Sequence, residues 1–264
     1  MTAVRPAPSE FRRRFAAGEP LVGTFVKTPS SHAIEILGGL GFDFVVIDEE
    51  HAPFDRVAID QCLLAARAAG TAGIVRVAEP TPAKLLAVLD DGAMGVLVPH
   101  VSSAAKAREI VSACRYRGGK RGFSNTTRAG GHGTLGLWDH VDAQDRAVTV
   151  IAMIEDPEAL DELDAILAVD GLDGVFIGRG DLTVALGTAG IEAPEILSVV
   201  DRITTAAKAA GKPVAIMVGS GEEAARFRAR GASAFIVSSD QGFLRQAASR
   251  ALADVSRVAG PAAA

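Results

Sequence analysis

A recurring glycine constrains this chain more than any other feature. Gly41-Phe-Asp-Phe-Val-Val-Ile, Gly92-Ala-Met-Gly-Val-Leu-Val, Gly171-Leu-Asp-Gly-Val-Phe-Ile and Gly231-Ala-Ser-Ala-Phe-Ile-Val share one pattern. In each, a glycine stops a helix and a short turn leads into a run of apolar β-formers. Two βα units need roughly 50–60 residues, given ordinary element and loop lengths. The first and last intervals fit that span. The middle interval is longer, and the excess lies in a stretch at about 115–147 that is rich in Gly, Thr and Asn. An insertion of that length is often functional.

Filling in between these glycines gives eight candidate strands: 21–26, 42–47, 72–75, 95–98, 148–154, 174–177, 213–217 and 234–237. Helical stretches follow them at 31–40, 56–69, 82–90, 104–114, 157–168, 194–210, 222–230 and 241–258. Strands that are nearly all apolar suit a parallel sheet covered on both faces. No Gly-rich dinucleotide fingerprint follows the first strand, which argues against an open doubly wound sheet. The expectation is an α/β protein, a single (β/α)8 TIM barrel spanning 1–264, with a long loop at about 115–147.

Composition narrows the partners. A net charge of −5 leaves no basic surplus for nucleic acid, and it does not favour an anionic membrane. No apolar run approaches the ~18 residues of a membrane span. The N-terminal fifteen residues are polar and Arg-rich without a signal-peptide core, so the chain reads as cytoplasmic. Cys62 and Cys114 sit in helical segments and read as buried reduced thiols.

Active sites of such barrels lie at the C-terminal ends of the strands. The polar residues there are Lys27, Asp48-Glu49-Glu50-His51, Arg76, His100, Glu155-Asp156, Arg179-Gly180-Asp181 and Ser238-Ser239-Asp240. Glu155 and Asp181 supply the oxygen ligands that a hard divalent cation takes, leaving positions for water and substrate. A 2-keto acid chelating there would have its keto oxygen polarised. His51, with Asp48 three residues earlier, is the candidate base for the C3 proton. Arg76 is placed to neutralise charge developing on the keto oxygen. Glu50 divides evenly between support of the site and a plain structural hydrogen bond. Glu49 is given no role, and Asp156 reads equally well as a helix-start acid. His100, Arg121, Arg128 and His132 are candidates for recognising the aldehyde, or else solvated loop residues. Trp138 reads as a packing or subunit-contact residue. Arg179-Gly180-Asp181 spells a cell-adhesion tripeptide, read as coincidence.

Asp48-Glu-Glu-His51-Ala-Pro, Leu89-Asp-Asp-Gly-Ala93, Arg115-Tyr-Arg-Gly-Gly-Lys-Arg-Gly122, Ile154-Glu155 and Phe176-Ile-Gly-Arg-Gly-Asp181-Leu-Thr together resemble the HpcH/HpaI aldolase/citrate lyase family, specifically its class II pyruvate aldolases. The resemblance implies reversible cleavage of 4-hydroxy-2-keto acids to pyruvate or hydroxypyruvate and an aldehyde. It implies Mg2+, Mn2+ or Co2+ held by Glu155 and Asp181, a His51–Asp48 pair, Arg76, and the Gly180 and Asp181 amides on the keto-acid carboxylate. It also implies a homohexamer. One departure is Met153, where many members carry a Gln that contacts the keto acid, so Met153 is counted with the substrate-binding residues. A second is Arg179-Gly180 where Pro-Ala is frequent. The rival readings are a Schiff-base aldolase using Lys27, a citrate-lyase-like enzyme of CoA thioesters, and a non-catalytic keto-acid-binding barrel.

Overall fold

The computed structural model describes residues 6–259. Eight strands close into one barrel in chain order: β1 (Leu21–Val26), β2 (Phe44–Asp48), β3 (Ala72–Arg76), β4 (Gly95–Val98), β5 (Thr149–Ile154), β6 (Gly174–Ile177), β7 (Val214–Val218) and β8 (Ala234–Ser239). Every neighbouring pair is parallel, including β1 with β8. The single (β/α)8 barrel expected from the sequence is the observed fold. All four recurring glycines have positive φ, from +83° at Gly171 to +113° at Gly231. A side chain would strain the turn that feeds each strand.

The helices are α1 (Phe11–Ala16), α2 (Ser31–Leu40), α3 (Arg56–Ala68), α4 (Pro82–Asp90), α5 (Ala104–Cys114), α6 (Leu137–Ala147), α7 (Pro157–Asp161), α8 (Leu163–Leu167), α9 (Arg179–Leu186), α10 (Pro194–Ala209), α11 (Gly221–Arg230) and α12 (Asp240–Ala259). Their starts follow local chemistry. Thr81 Oγ accepts from the Lys84 amide ahead of Pro82, and Asp55 and Ser220 cap α3 and α11 in the same way. The helix expected over 157–168 is broken at Glu162 into α7 and α8. The Glu162 carboxylate instead accepts the Ala104 amide at the start of α5 (2.9 Å).

Strand alternation sorts the core into two layers. Val45, Ile47, Val75, Val96, Val98 and Val150 face outward and pack against Ile34, Leu63, Leu85 and Ile110 of the helices. Phe44, Val46, Ile74, Leu97, Ile151, Met153, Phe176 and Ile236 fill the barrel interior. Helix α1, not anticipated from the sequence, plugs the N-terminal end. Phe11 and Phe15 stack at 5.8 Å, and Phe11 lies 5.2 Å from the Phe44 ring. Phe15 is only 1% exposed, so truncating it to Ala should cost about 3–5 kcal/mol. The same inward parity, carried to the C-terminal ends, delivers Asp48, Arg76 and Glu155 to the upper interior. Cys62 and Cys114 are buried free thiols, pushed up to about 11 and about 12 by burial.

Candidate active site

Asp48 is the last residue of β2 and is fully buried. Its register partner on β3 is Arg76. The guanidinium closes a two-point ion pair, with Nε 2.8 Å from Oδ1 and Nη2 2.7 Å from Oδ2. Lys27 Nζ, from the end of β1, lies 3.0 Å from Oδ2. Burial pushes the Asp48 carboxyl up, but the Arg76 and Lys27 cations outweigh it and hold the group below its ordinary value. The Phe25 ring supports the Arg76 guanidinium at 4.8 Å, and Arg76 Nη1 reaches Glu50 at 3.2 Å.

His51 stands on the rim with its side chain about half exposed. Its main-chain N–H donates to Asp48 Oδ1 (3.2 Å), whereas its imidazole Nε2 is 3.6 Å from Glu50 Oε2. Asp48 and His51 are therefore brought together through the backbone, and Glu50 is the carboxylate beside the ring. Glu49 turns away and clamps the Ala78 amide and Lys84 Nζ, a structural role.

Glu155 follows β5 and is 2% exposed. Its carboxylate accepts the His100 amide at 2.8 Å. His100 holds φ at +54°, a left-handed conformation that is uncommon outside glycine. The His100 ring lies between acids, with Nδ1 3.0 Å from Asp156 and Nε2 3.8 Å from Glu50. The Glu155 carboxyl is pushed up to about 7, first by burial and further by the charges of Asp181 and Glu50. The His100 amide and ring offset this only in part. A Cβ added to Gly178 would lie 2.6 Å from Glu155 Oε2, so only glycine leaves room for this seat.

Asp181 sits exposed in the first turn of α9, where helix amides have no intrahelical acceptor; Gly180 precedes it. Arg179 is buried. It donates to the Met217 carbonyl, pairs with Glu192 (2.8 Å) and Glu223 (2.6 Å), and lies over the Phe227 ring. This clasp fixes α9 against β7 and α11 and removes the apparent adhesion tripeptide from display. A cavity of about 1020 Å³ opens at this end of the barrel, lined by Lys27, Arg76, Met153, Gly180 and Asp181 among others. Met153 is 1% exposed and forms part of its floor.

These residues fit a hard divalent cation of the two-carboxylate type. A carboxylate drawn toward protonation first by burial and further by a neighbouring acid is the state that a bound cation relieves. No larger group of three or more His, Cys, Asp or Glu side chains set as metal ligands occurs among the described residues.

Of the two readings of the loop residues, aldehyde recognition finds no support within the chain for Arg121, Arg128 and His132. Segment 115–136 joins α5 to α6 on the return from α5 to β5, so it lies toward the N-terminal end of the barrel, away from the site. Arg121 is buried on Asp90 at the end of α4. Arg128 pairs with Asp60 of α3 and covers Gly92. Neither reaches the cavity, and His132 is exposed on the same segment. His100 alone of that group belongs to the rim. Trp138 is exposed beneath Arg117 (4.8 Å).

The closed barrel carries an acid-rich rim at the C-terminal ends of its strands, the end at which enzymes of this fold hold their sites. The family model of the HpcH/HpaI aldolase/citrate lyases matches residues 21–247. The chain is 35% identical over 249 residues to a 5-keto-4-deoxy-D-glucarate aldolase of Enterobacter sp. (strain 638), covering 94% of this chain and 96% of that one. Among solved structures, an HpcH/HpaI aldolase/citrate lyase family protein from Burkholderia cenocepacia J2315 superposes with a TM-score of 0.88 at 30% identity, covering 94% of this chain and 99% of that chain. The citrate synthase SbnG superposes with a TM-score of 0.86 at 31% identity, covering 94% and 98%. The chain belongs to the HpcH/HpaI aldolase/citrate lyase family, and its activity is that of an aldolase, a carbon–carbon lyase.

Proposed function

We propose that the chain is a divalent-metal-dependent class II aldolase that cleaves 4-hydroxy-2-keto acids to pyruvate or hydroxypyruvate and an aldehyde. The observation that carries this reading is the buried Glu155, pushed up to about 7 beside Asp181. Glu155 and Asp181 would hold Mg2+, Mn2+ or Co2+, which when bound supplies Lewis-acid polarisation of the keto oxygen.

The chain's own groups do the rest. The amides of Gly180 and Asp181 hold the keto-acid carboxylate. Arg76, locked by Asp48 and Phe25, offers charge to the developing enolate oxygen. His51 takes or returns the C3 proton while Asp48 fixes the main chain that carries it. Met153 closes the floor with an apolar surface where substrate packs. Lys27 Nζ is occupied by Asp48, an arrangement unlike the unpaired amine that condenses with carbonyls.

The name of the Enterobacter relative points to a dicarboxylate of this class as substrate. Release of pyruvate from 5-keto-4-deoxy-D-glucarate, lost with chelator and restored by Mn2+, would support the reading. The likeness to SbnG favours one second reading, a citrate-forming or citrate-cleaving enzyme of CoA thioesters. Citrate formed from oxaloacetate and acetyl-CoA, with no pyruvate release in the first assay, would establish that reading instead. The outward side of α12 exposes Leu244, Leu252 and Val255, each about two-thirds exposed or more, which supports assembly as a homo-oligomer; the hexamer is what the family resemblance implies. A cytoplasmic location is part of the same proposal; no helix among the described residues is long and apolar enough to cross a membrane.

A further inference from the structure

The cavity wall between β6 and β7 is held by one buried cation, Arg179. This residue opens α9, and no side chain caps that helix, because the N-cap position is Gly178. The first amides of α9 are left without a side-chain acceptor, and a Cβ added to Gly180 would meet nothing within 4 Å. The Arg179 guanidinium ties this uncapped turn to three other segments. It donates to the Met217 carbonyl at the end of β7 (2.7 Å), to Glu223 in the first turn of α11 (2.6 Å) and to Glu192 ahead of α10 (2.8 Å). Both acids are themselves held. Glu223 also takes the Gly219 amide (2.6 Å) and Glu192 also takes Arg226 (2.6 Å). A planar fork serves such a set of acceptors, which an ammonium meets only in part.

The same turn carries half of the metal seat. Up to Gly178 the chain is held by the barrel, through the Gly178 amide on the Ile154 carbonyl (3.1 Å), and Gly178 packs directly against Glu155. Beyond that point, only Arg179 and Leu182 of α9 are buried, and Asp181 lies between them. The Arg179 clasp is thus the polar anchor that decides how far Asp181 stands from Glu155.

Resting on the aldolase reading above, we propose that Arg179 is a positioning residue of the cation and keto-acid seat. By clasping β7 and α11 it sets where the Asp181 carboxylate and the Gly180 and Asp181 amides stand relative to Glu155. It acts through the backbone of the turn and not by contact with cation or substrate.

Mn2+ affinity by calorimetry, and pyruvate C3 exchange against pyruvate concentration, test this in R179A, R179K and E223Q. R121A serves as a control destabilised at the far end of the barrel. We expect Mn2+ affinity to fall about tenfold or more in R179A, as when a supporting partner of a metal ligand is lost. The loss should be smaller in R179K and of the same sign in E223Q. At saturating Mn2+ the KM for pyruvate should rise more than kcat falls, because His51 and Arg76 stand at the ends of β2 and β3 and keep their places. R121A should bind Mn2+ as wild type does, despite its lost stability in urea. Should R179A fail to fold, R179K and E223Q carry the same comparison. Wild-type affinity in the Arg179 and Glu223 variants, or a loss no greater than in R121A, would overturn the assignment. A wild-type protein that binds no Mn2+ would overturn the aldolase reading instead.

Discussion

Asp48 and Arg76 stand directly opposite each other in the β2–β3 register and close a buried two-point ion pair at 2.8 and 2.7 Å. Strand alternation puts both side chains inside the barrel, where Asp48 is fully enclosed and Arg76 opens only onto the cavity. The pair is also the floor on which His51 and Lys27 are positioned, because each bonds the same carboxylate.

Replacing Asp48 by Asn should therefore damage two properties at once. The buried Arg76 charge loses its partner, which costs about 3–5 kcal/mol. Activity should fall with it, as an amide here cannot accept from Arg76 at both atoms, although its oxygen still accepts the His51 main-chain N–H. Asp48 is held below its ordinary value in the folded protein, so its stabilisation is fully present above the unfolded value of about 3.9 and is lost as pH falls through the folded value. Urea denaturation should show wild type weakening with acid in that window and D48N following a flatter curve. Equal pH dependence in both proteins would contradict the assignment.

Metal binding should depend on the protonation of Glu155. With this carboxyl at about 7, a proton competes with the cation below that pH, and apparent affinity drops about tenfold per pH unit. Above it the affinity should level off. Mn2+ titrations by calorimetry between pH 5.5 and 8.5 would follow this, and E155Q should bind weakly with no such slope.

Gly178 gives a geometric test of the same seat. An added Cβ meets Glu155 Cβ at 2.5 Å and Oε2 at 2.6 Å. G178A should lower Mn2+ affinity by tenfold or more while circular dichroism still reports a folded barrel. Retained affinity would show that Glu155 is not confined as described.

Removing Arg121 should do the reverse. It leaves the buried Asp90 without its partner, at a cost of about 3 kcal/mol, yet Arg121 lies at the far end of the barrel. R121A should unfold earlier in urea with kcat/KM within about twofold of wild type. A large kinetic effect with intact stability would place the loop at the site after all.

Much of the fold was legible because its signals are local. Gly41, Gly92, Gly171 and Gly231 announce helix-to-strand turns, and β4 and β6 stand at the expected residues. Helices α1, α6 and α9 were missed for a different reason. They are short, or they hide in Gly- and polar-rich sequence where no apolar stripe repeats.

The rim residues Asp48, Arg76, Glu155 and Asp181 could be read as a set because each ends a strand or follows one within four residues. Their pairing could not, since it depends on strand register. Nothing local says that Asp48 faces Arg76, or that the His51 ring stands beside Glu50. The length and the Gly-, Thr- and Asn-rich composition of the loop at 115–147 do not say which end of the barrel it occupies. Its position between a helix and the following strand already fixed it at the opposite end, and that signal outweighs composition.

The central claim is that Glu155 and Asp181 hold one cation that activates a keto acid beside His51. Deuterium exchange at pyruvate C3, followed by NMR in metal-stripped protein with increasing Mn2+, tests it most directly. Exchange should be absent without metal, rise with Mn2+ to saturation, and stay absent in E155Q and D181N. Full exchange by the stripped protein, or exchange in either variant equal to wild type, would contradict the account.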